Sequence, residues 1–444
     1  MTDSTPGSTH QAPPQQPVGM DKSAKDARRA SLGSYVGATL EWYDFSIYSA
    51  ASALVFPAVF FGGVDPALGT VLSYLTLAGG YVARPVGAIL FGHFGDHIGR
   101  RRMLIITMIL MGVASIGIGV IPSSATIGHS AAILLVALRL LQGFAVGGEW
   151  AGASLMSIEH AKEKRKGLAG AVVQTGGPSG GLLATGVFSI VTLMAPDQVI
   201  AWGWRIPFLL SAVVVIVAIL IRLGVRESPE FLATQQNAPA ATKRRAPLVS
   251  TFAENWLSVL LVILTALAPF FVQSLSTTFA LQFAVDHGNA ESSTLSMLTI
   301  ANFFTIISTL AAAALSDRYS RLAVMSTGFI VSGVLVWVAF ALFSVTNLWA
   351  VLLGFVILLP IGNGLITGPL AAYMASMFPV HNRFTGVGVS YQLAATISAG
   401  SAPLVATGLL SAAGGHTVLL TTLVSVLAAI GLVTVILSRK VRPA

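Results

Sequence analysis

Two carboxylates three residues apart, Glu41 and Asp44, interrupt the otherwise mostly apolar stretch GATLEWYDFSIYSAASALVFPAVFF (37–61). On a helix that spacing puts both on one face. Two arginines interrupt similar runs: Arg84 among the apolar residues from Tyr81 to Phe91, and Arg139 in LRLLQGFAVGG (138–148). Glu149 follows ten residues after Arg139. An acid in apolar surroundings can take up and release a proton as its surroundings change. An arginine keeps its proton and instead grips a carboxylate or sets the charge of a neighbouring acid. Together these groups could couple proton movement to recognition of an anion. Other chemistry has no foothold here. There is no cysteine, which removes thiol catalysis, thiolate metal sites and disulfides. No phosphate-cradling glycine loop ending in Gly-Lys-Ser/Thr occurs, so ATP is not the expected energy source. No nucleophile constellation points to an enzyme, and neither a cofactor nor a metal is expected.

The runs that carry these groups set the class of protein. Of the 444 residues 55% are hydrophobic and 9% charged, with a mean hydropathy of +0.80. A soluble domain carries about 25% charged residues, so the chain reads as an all-α membrane protein. Continuous apolar stretches long enough to cross about 30 Å of hydrocarbon fall near 34–61, 68–93, 103–122, 129–152, 167–195, 205–224, 255–284, 292–315, 322–344, 348–375, 385–410 and 416–438. Closed barrels would show alternation instead, so twelve helices are predicted. Asp44 then lies roughly 15 Å deep along the first helix, and Arg84 about as deep in the second. Ionised groups at that depth pair or line a cavity. Two readings fit Asp44: proton or substrate coupling, with Glu41 and Glu149 as further proton candidates, or a structural ion pair with Arg84.

The net charge of +8 is a matter of placement. Of 25 Lys and Arg, all but Arg84, Arg139 and Arg205 fall in the tails or after even-numbered helices. By the positive-inside rule that face is cytoplasmic, both termini included. The chain is expected in the cell membrane, with the lipid bilayer rather than nucleic acid as its surroundings, working as a monomer. Residues 1–32 read as a disordered cytoplasmic tail. Residues 225–253 are the longest polar interior stretch and read as a cytoplasmic linker between six-helix halves, 33–224 and 254–438, with 439–444 as a second tail.

The halves repeat one another. GHFGDHIGRRR (92–102) has a partner in LSDRYSR (315–321): Asp96 and Arg100 recur as Asp317 and Arg321. RKGLAGAVVQ (165–174) recurs as RFTGVGVSYQ (383–392), which carries Arg383, Tyr391 and Gln392. Parallel half-repeats with a site between them near mid-membrane are a transporter arrangement. A helix start attracts negative charge, so Asp96 and Arg100 are read as a latch between the ends of helices 2 and 3 and the start of helix 11.

The charged segment resembles the loop signature of the major facilitator superfamily, with Gly92, Asp96, Gly99, Arg100 and Arg101 matching and His97 in place of a fixed cation. The second copy has Ser320 for a glycine, and Arg139, Gln142 and Gly143 resemble the helix-4 signature. GATLEWYDFSIYSAASALVFPAVFF, ARPVGAILFGHFGDHIGRR, QGFAVGGEWAGAS, WGWRIPFLL, ESPEF and FPVHNRFTGVGVSYQ, in that order from about residue 33 onward, are similar to the metabolite:proton symporter family. The resemblance implies secondary transport of a small organic metabolite with protons, shikimate or a related carboxylate first. A proline or betaine-type importer is the alternative, and a passive facilitator or transporter-like receptor a third reading. Arg84, Arg139 and Gln142 are the expected substrate contacts from the first half, with Gln273, Asn363 and Tyr391 from the second, which lacks deep charges. Two departures stand out. Ser376 replaces the acid expected to face Arg383, and GGPSGG (176–181) reads as a bend and close-packing element rather than an antiporter motif.

Overall fold

The structure, a computed structural model, describes residues 20–191, 193–225, 227–228, 232 and 247–441. These residues form helices and turns, with no strand among them. In chain order the first half consists of α1 (Met20–Leu54), α2 (Pro66–Ile98), α3 (Arg100–Val120), α4 (Ser130–His160), α5 (Lys166–Gln174 and Gly176–Val191) and α6 (Arg205–Leu223). The second half begins with α7, which spans Pro247–Ser274 and continues through Leu275–Phe279 to Ala280–Asp286. It goes on with α8 (Glu291–Arg318), α9 (Arg321–Phe343), α10 (Leu348–Val356 continued through Gly364–Ala375), α11 (Arg383–Ser398 and Ala402–Ala412) and α12 (Val418–Leu437). Ten of these are long and apolar enough to span by composition alone. The other two are α1, which carries the charges near Met20 as well as Glu41 and Asp44, and α5, which is interrupted at Thr175.

The halves repeat in packing as they do in sequence. In the first, α2 packs on α4, α1 on α5 and α3 on α6; in the second, α8 packs on α10, α7 on α11 and α9 on α12. Across the halves α2 meets α11, and the start of α5 meets α8 and α10. The largest apolar core lies at this junction and includes Phe91, Trp150, Tyr373, Phe378 and Phe384.

Several boundaries differ from the sequence reading. The expected disordered tail 1–32 is helical from Met20, while residues 1–19 lie outside the described ones. Residues 20–31 are rich in Ala, Lys and Arg, which favour helix, and Ala30 is buried. The expected linker 225–253 ends early, because Pro247 opens a short helix that kinks at Asn255 before α7 proper; proline suits the first helical turn. Most of the linker, 233–246, lies outside the described residues. The charged segment 92–102 is not a loop: α2 runs through Ile98 and α3 starts at Arg100. Gly99 alone makes the break, with φ 108°, a conformation in which a side chain is strained. Its counterpart Ser320 has φ −151° and caps α9 through its hydroxyl, so no glycine is needed there. In α10 a wide turn at Ile357–Asn363 surrounds Pro360; such turns form where proline removes a backbone donor.

Candidate functional site

Glu41, Asp44, Phe45, Gly80, Arg84, Arg139, Gln142, Gly143 and Val146 line one cavity, formed by α1, α2 and α4. It encloses about 10 Å³, roughly the room that one water needs, so the side chains close around it.

Asp44 is 1% exposed and fully engaged. The Ser115 hydroxyl on α3 donates to Asp44 Oδ2 at 2.6 Å, and the Ser211 hydroxyl on α6 donates to Oδ1 at 2.6 Å. Ser115 Oγ accepts from Gln142 Nε2 at 2.8 Å, and Gln142 Oε1 accepts from Arg139 Nη1 at 2.5 Å. A hydroxyl has one proton to give, so the direction of this chain is set: Arg139 to Gln142 to Ser115 to Asp44. The cation that acts on Asp44 is Arg139. The ion pair with Arg84 expected as one reading does not form; the guanidinium of Arg84 lies 4.5 Å from the Tyr81 ring centre and 5.5 Å from that of Phe45. Arg139 in turn sits 4.0 Å from the Tyr48 ring centre. Among the described residues neither arginine makes an ion pair, and both Nε atoms are buried without a hydrogen bond.

The other two proton candidates differ from Asp44. Glu41 faces the cavity, with Oε2 buried and unpartnered. Glu149 lies outside the cavity lining, 3.6 Å from Arg222 on α6. Arg222, which follows the sixth apolar run in sequence, is 3% exposed, so Arg139 is not the sole buried cation of the helices.

From the second half, Gln273 and Asn363 are joined to each other, Asn363 Nδ2 donating to Gln273 Oε1 at 3.1 Å. Tyr391 stacks on Trp150 of α4, with ring centres 3.6 Å apart, and its hydroxyl lies within electrostatic reach of Glu41, Arg84 and Tyr81. None of these three lines the cavity.

The charged ends of the helices meet at what is here called the basic end. Asp96 Oδ1 accepts from the backbone N–H of Phe384 at 3.1 Å, and Oδ2 from that of Thr385 at 2.9 Å and from its hydroxyl at 2.8 Å. The repeat holds in mirror form: Asp317 accepts from the N–H groups of Gly167 at 2.7 Å and Leu168 at 2.9 Å, at the start of α5. Each half thus offers an aspartate to a helix start of the other. Gly92 is what lets α2 come this close, since a Cβ there would lie 2.9 Å from Thr385 Cα. Arg321 lies 3.9 Å from Asp317.

Glu159, to which the sequence reading gave no role, is the hub of this end. It pairs with Arg100 at 2.9 Å and Arg383 at 3.0 Å and accepts from Ser228. The acid facing Arg383 is therefore present, supplied by α4 in place of the expected position at Ser376. Arg100 also donates to the Val380 carbonyl at 3.2 Å. Glu227, in the ESPEF segment, accepts from the N–H groups of Arg100 and Arg101 at 3.1 Å and so caps α3. Its place in a recognised motif was a signal that it had a partner; Ser115 and Ser211 offered no such signal, as serines are common in apolar helices.

Twelve helices in two matching halves among the described residues, with buried ionisable groups at one cavity, define a membrane transporter. The family model "Sugar (and other) transporter" matches residues 30–253 and "Major Facilitator Superfamily" matches residues 261–444. The chain is 37% identical to the shikimate transporter of Escherichia coli K12, over 89% of this chain and 90% of that one. It is 30% identical to the proline/betaine transporter of Salmonella typhimurium, over 85% and 77% respectively. In fold it matches the solved proton:xylose symporter XylE bound to 6-bromo-6-deoxy-D-glucose, with a TM-score of 0.77 and 15% identity, covering 95% of this chain and 97% of that one. The chain belongs to the major facilitator superfamily, and it is a transporter rather than an enzyme.

Proposed function

We infer that this transporter carries a small organic carboxylate, shikimate or a close relative, into the cell together with protons. The observation that carries the reading is the pair of guanidinium groups at the cavity, Arg139 buried and Arg84 half-buried. Arg84 and Arg139 have no carboxylate partner of their own among the described residues, and a cation held away from water without counter-charge is costly. A substrate carboxylate supplies that charge. Glu41 stands beside them as the proton carrier, with Asp44 as the alternative, and the basic end faces the cytoplasm, as its lysines and arginines argue. The 37% identity to a shikimate transporter supports the same substrate class.

A zwitterion of the proline or betaine type is the second reading. Glu41 with the rings of Phe45 and Tyr81 resembles an ammonium site, but Arg84 already occupies those rings. Uptake of labelled shikimate, proline and betaine into proteoliposomes, with and without an imposed proton gradient, separates the readings. Gradient-dependent accumulation of shikimate is expected. Accumulation of the zwitterions alone overturns the carboxylate reading, and equilibration without accumulation overturns proton coupling.

A further inference from the structure

The stacked pair of Trp150 and Tyr391 joins the two halves at a single place between the cavity and the basic end. Along α4, Trp150 lies one turn beyond Val146, a cavity wall, and about 13 Å short of Glu159 by the rise of a helix. The rings are nearly parallel, 18° apart. Each is held from behind by its own half. The Trp150 indole N–H donates to Gln174 Oε1 of α5 at 2.8 Å. Phe270 of α7 meets Tyr391 edge-on at 4.8 Å. The Tyr391 hydroxyl makes no hydrogen bond among the described residues, and Tyr391 is not among the residues that line the cavity.

We propose that Trp150 is a positioning residue which, by stacking on Tyr391, closes the path from the substrate cavity to the basic end. Because one ring belongs to each half, parting the halves at the basic end unstacks them. The same motion opens the exit.

The chain has no cysteine of its own, so a cysteine placed at Val146 reports on the cavity. A membrane-impermeant maleimide is applied to each face of sealed vesicles. With Trp150→Ala, labelling from the face bearing the basic end should rise roughly three- to tenfold, the range that losing an aromatic pair implies. Trp150→Phe keeps a ring and should label near the unmodified rate. Tyr391→Phe keeps the stack and should leave labelling unchanged. Unchanged labelling in Trp150→Ala, or equal labelling in Trp150→Ala and Trp150→Phe, overturns the closure. If the unmodified protein takes up no shikimate, the substrate reading fails, and the labelling result still decides the closure.

Discussion

At the scale of single residues, the site depends on where protons and charges are pinned. Arg139 gives one N–H to Gln142 and keeps its remaining fork near the cavity. Lysine would retain the charge but lose the planar geometry that grips a carboxylate at two points. Arg139→Lys is therefore expected to lose most uptake, tenfold or more, since a bidentate contact to a charged group is worth about 1.5–3 kcal/mol. Normal shikimate uptake by the lysine variant, at matched insertion, would show that Arg139 serves as a bare charge. Ser115 sits in the directed chain that ends at Asp44. Ser115→Ala removes one donor from a buried carboxylate and leaves the Gln142 amide without its acceptor, a cost of about 1–3 kcal/mol. A lower midpoint in thermal unfolding is the expected reading, and no shift would show that water replaces the hydroxyl.

At the scale of elements, the basic end is a pair of helix-start contacts related by the repeat. Negatively charged groups at a helix start gain from its unpaired N–H groups. Asp96 and Asp317 each take two such groups from the opposite half. Asp96→Asn keeps the shape and loses the charge; the closed state should weaken roughly tenfold, at about 1.4 kcal/mol. Asp317→Asn should do the same from the other side. Labelling of a cavity cysteine from the basic-end face, with uptake in parallel, measures both. Equal labelling in the variants and the parent would remove the latch role from these aspartates. Glu159 ties Arg100 to Arg383 with no exposed surface of its own side chain. Breaking a buried pair from one side costs about 3–5 kcal/mol, so Glu159→Gln is expected to open this end further than either aspartate variant.

At the scale of the whole molecule, proton coupling requires that a carboxylate meet different surroundings in the two end states. The geometry separates three acids that looked alike in sequence. Asp44 is tied to hydroxyls on two helices of its own half, and Glu149 lies against Arg222 in the same half. Glu41 faces the cavity and lies within electrostatic reach of Tyr391, a residue of the other half, so rocking of the halves changes its surroundings. Glu41→Gln, which mimics the protonated acid, should still exchange shikimate across vesicles in counterflow but should not concentrate it under a proton gradient. Asp44→Asn, by contrast, disturbs a closed network and should impair both. If instead Asp44→Asn alone uncouples exchange from accumulation, Asp44 carries the proton and Glu41 does not.

Much of this was written along the chain. Apolar runs of sufficient length can only be spanning helices, and a polar tract of chain between them can only lie outside the hydrocarbon. The placement of lysine and arginine, the repeat of Asp96 as Asp317, and the family motifs needed no coordinates. Even the aspartate contact with the start of α11 followed from helix electrostatics and the duplication. What the sequence could not assign were partners. Asp44 bonds to residues 71 and 167 positions away, and Arg383 to Glu159 at 224. A buried charge announces that a partner exists, because burying it alone is too costly, but its cost is the same whichever helix supplies the partner. Depth alone therefore offers Arg84 as one partner for Asp44, whereas the helices' rotation brings Arg139 to act on that acid and turns Arg84 toward two rings. Serines 115 and 211, Glu159 and the stack of Trp150 on Tyr391 are decided by that same rotation and by how closely the halves approach, which only the packed bundle sets.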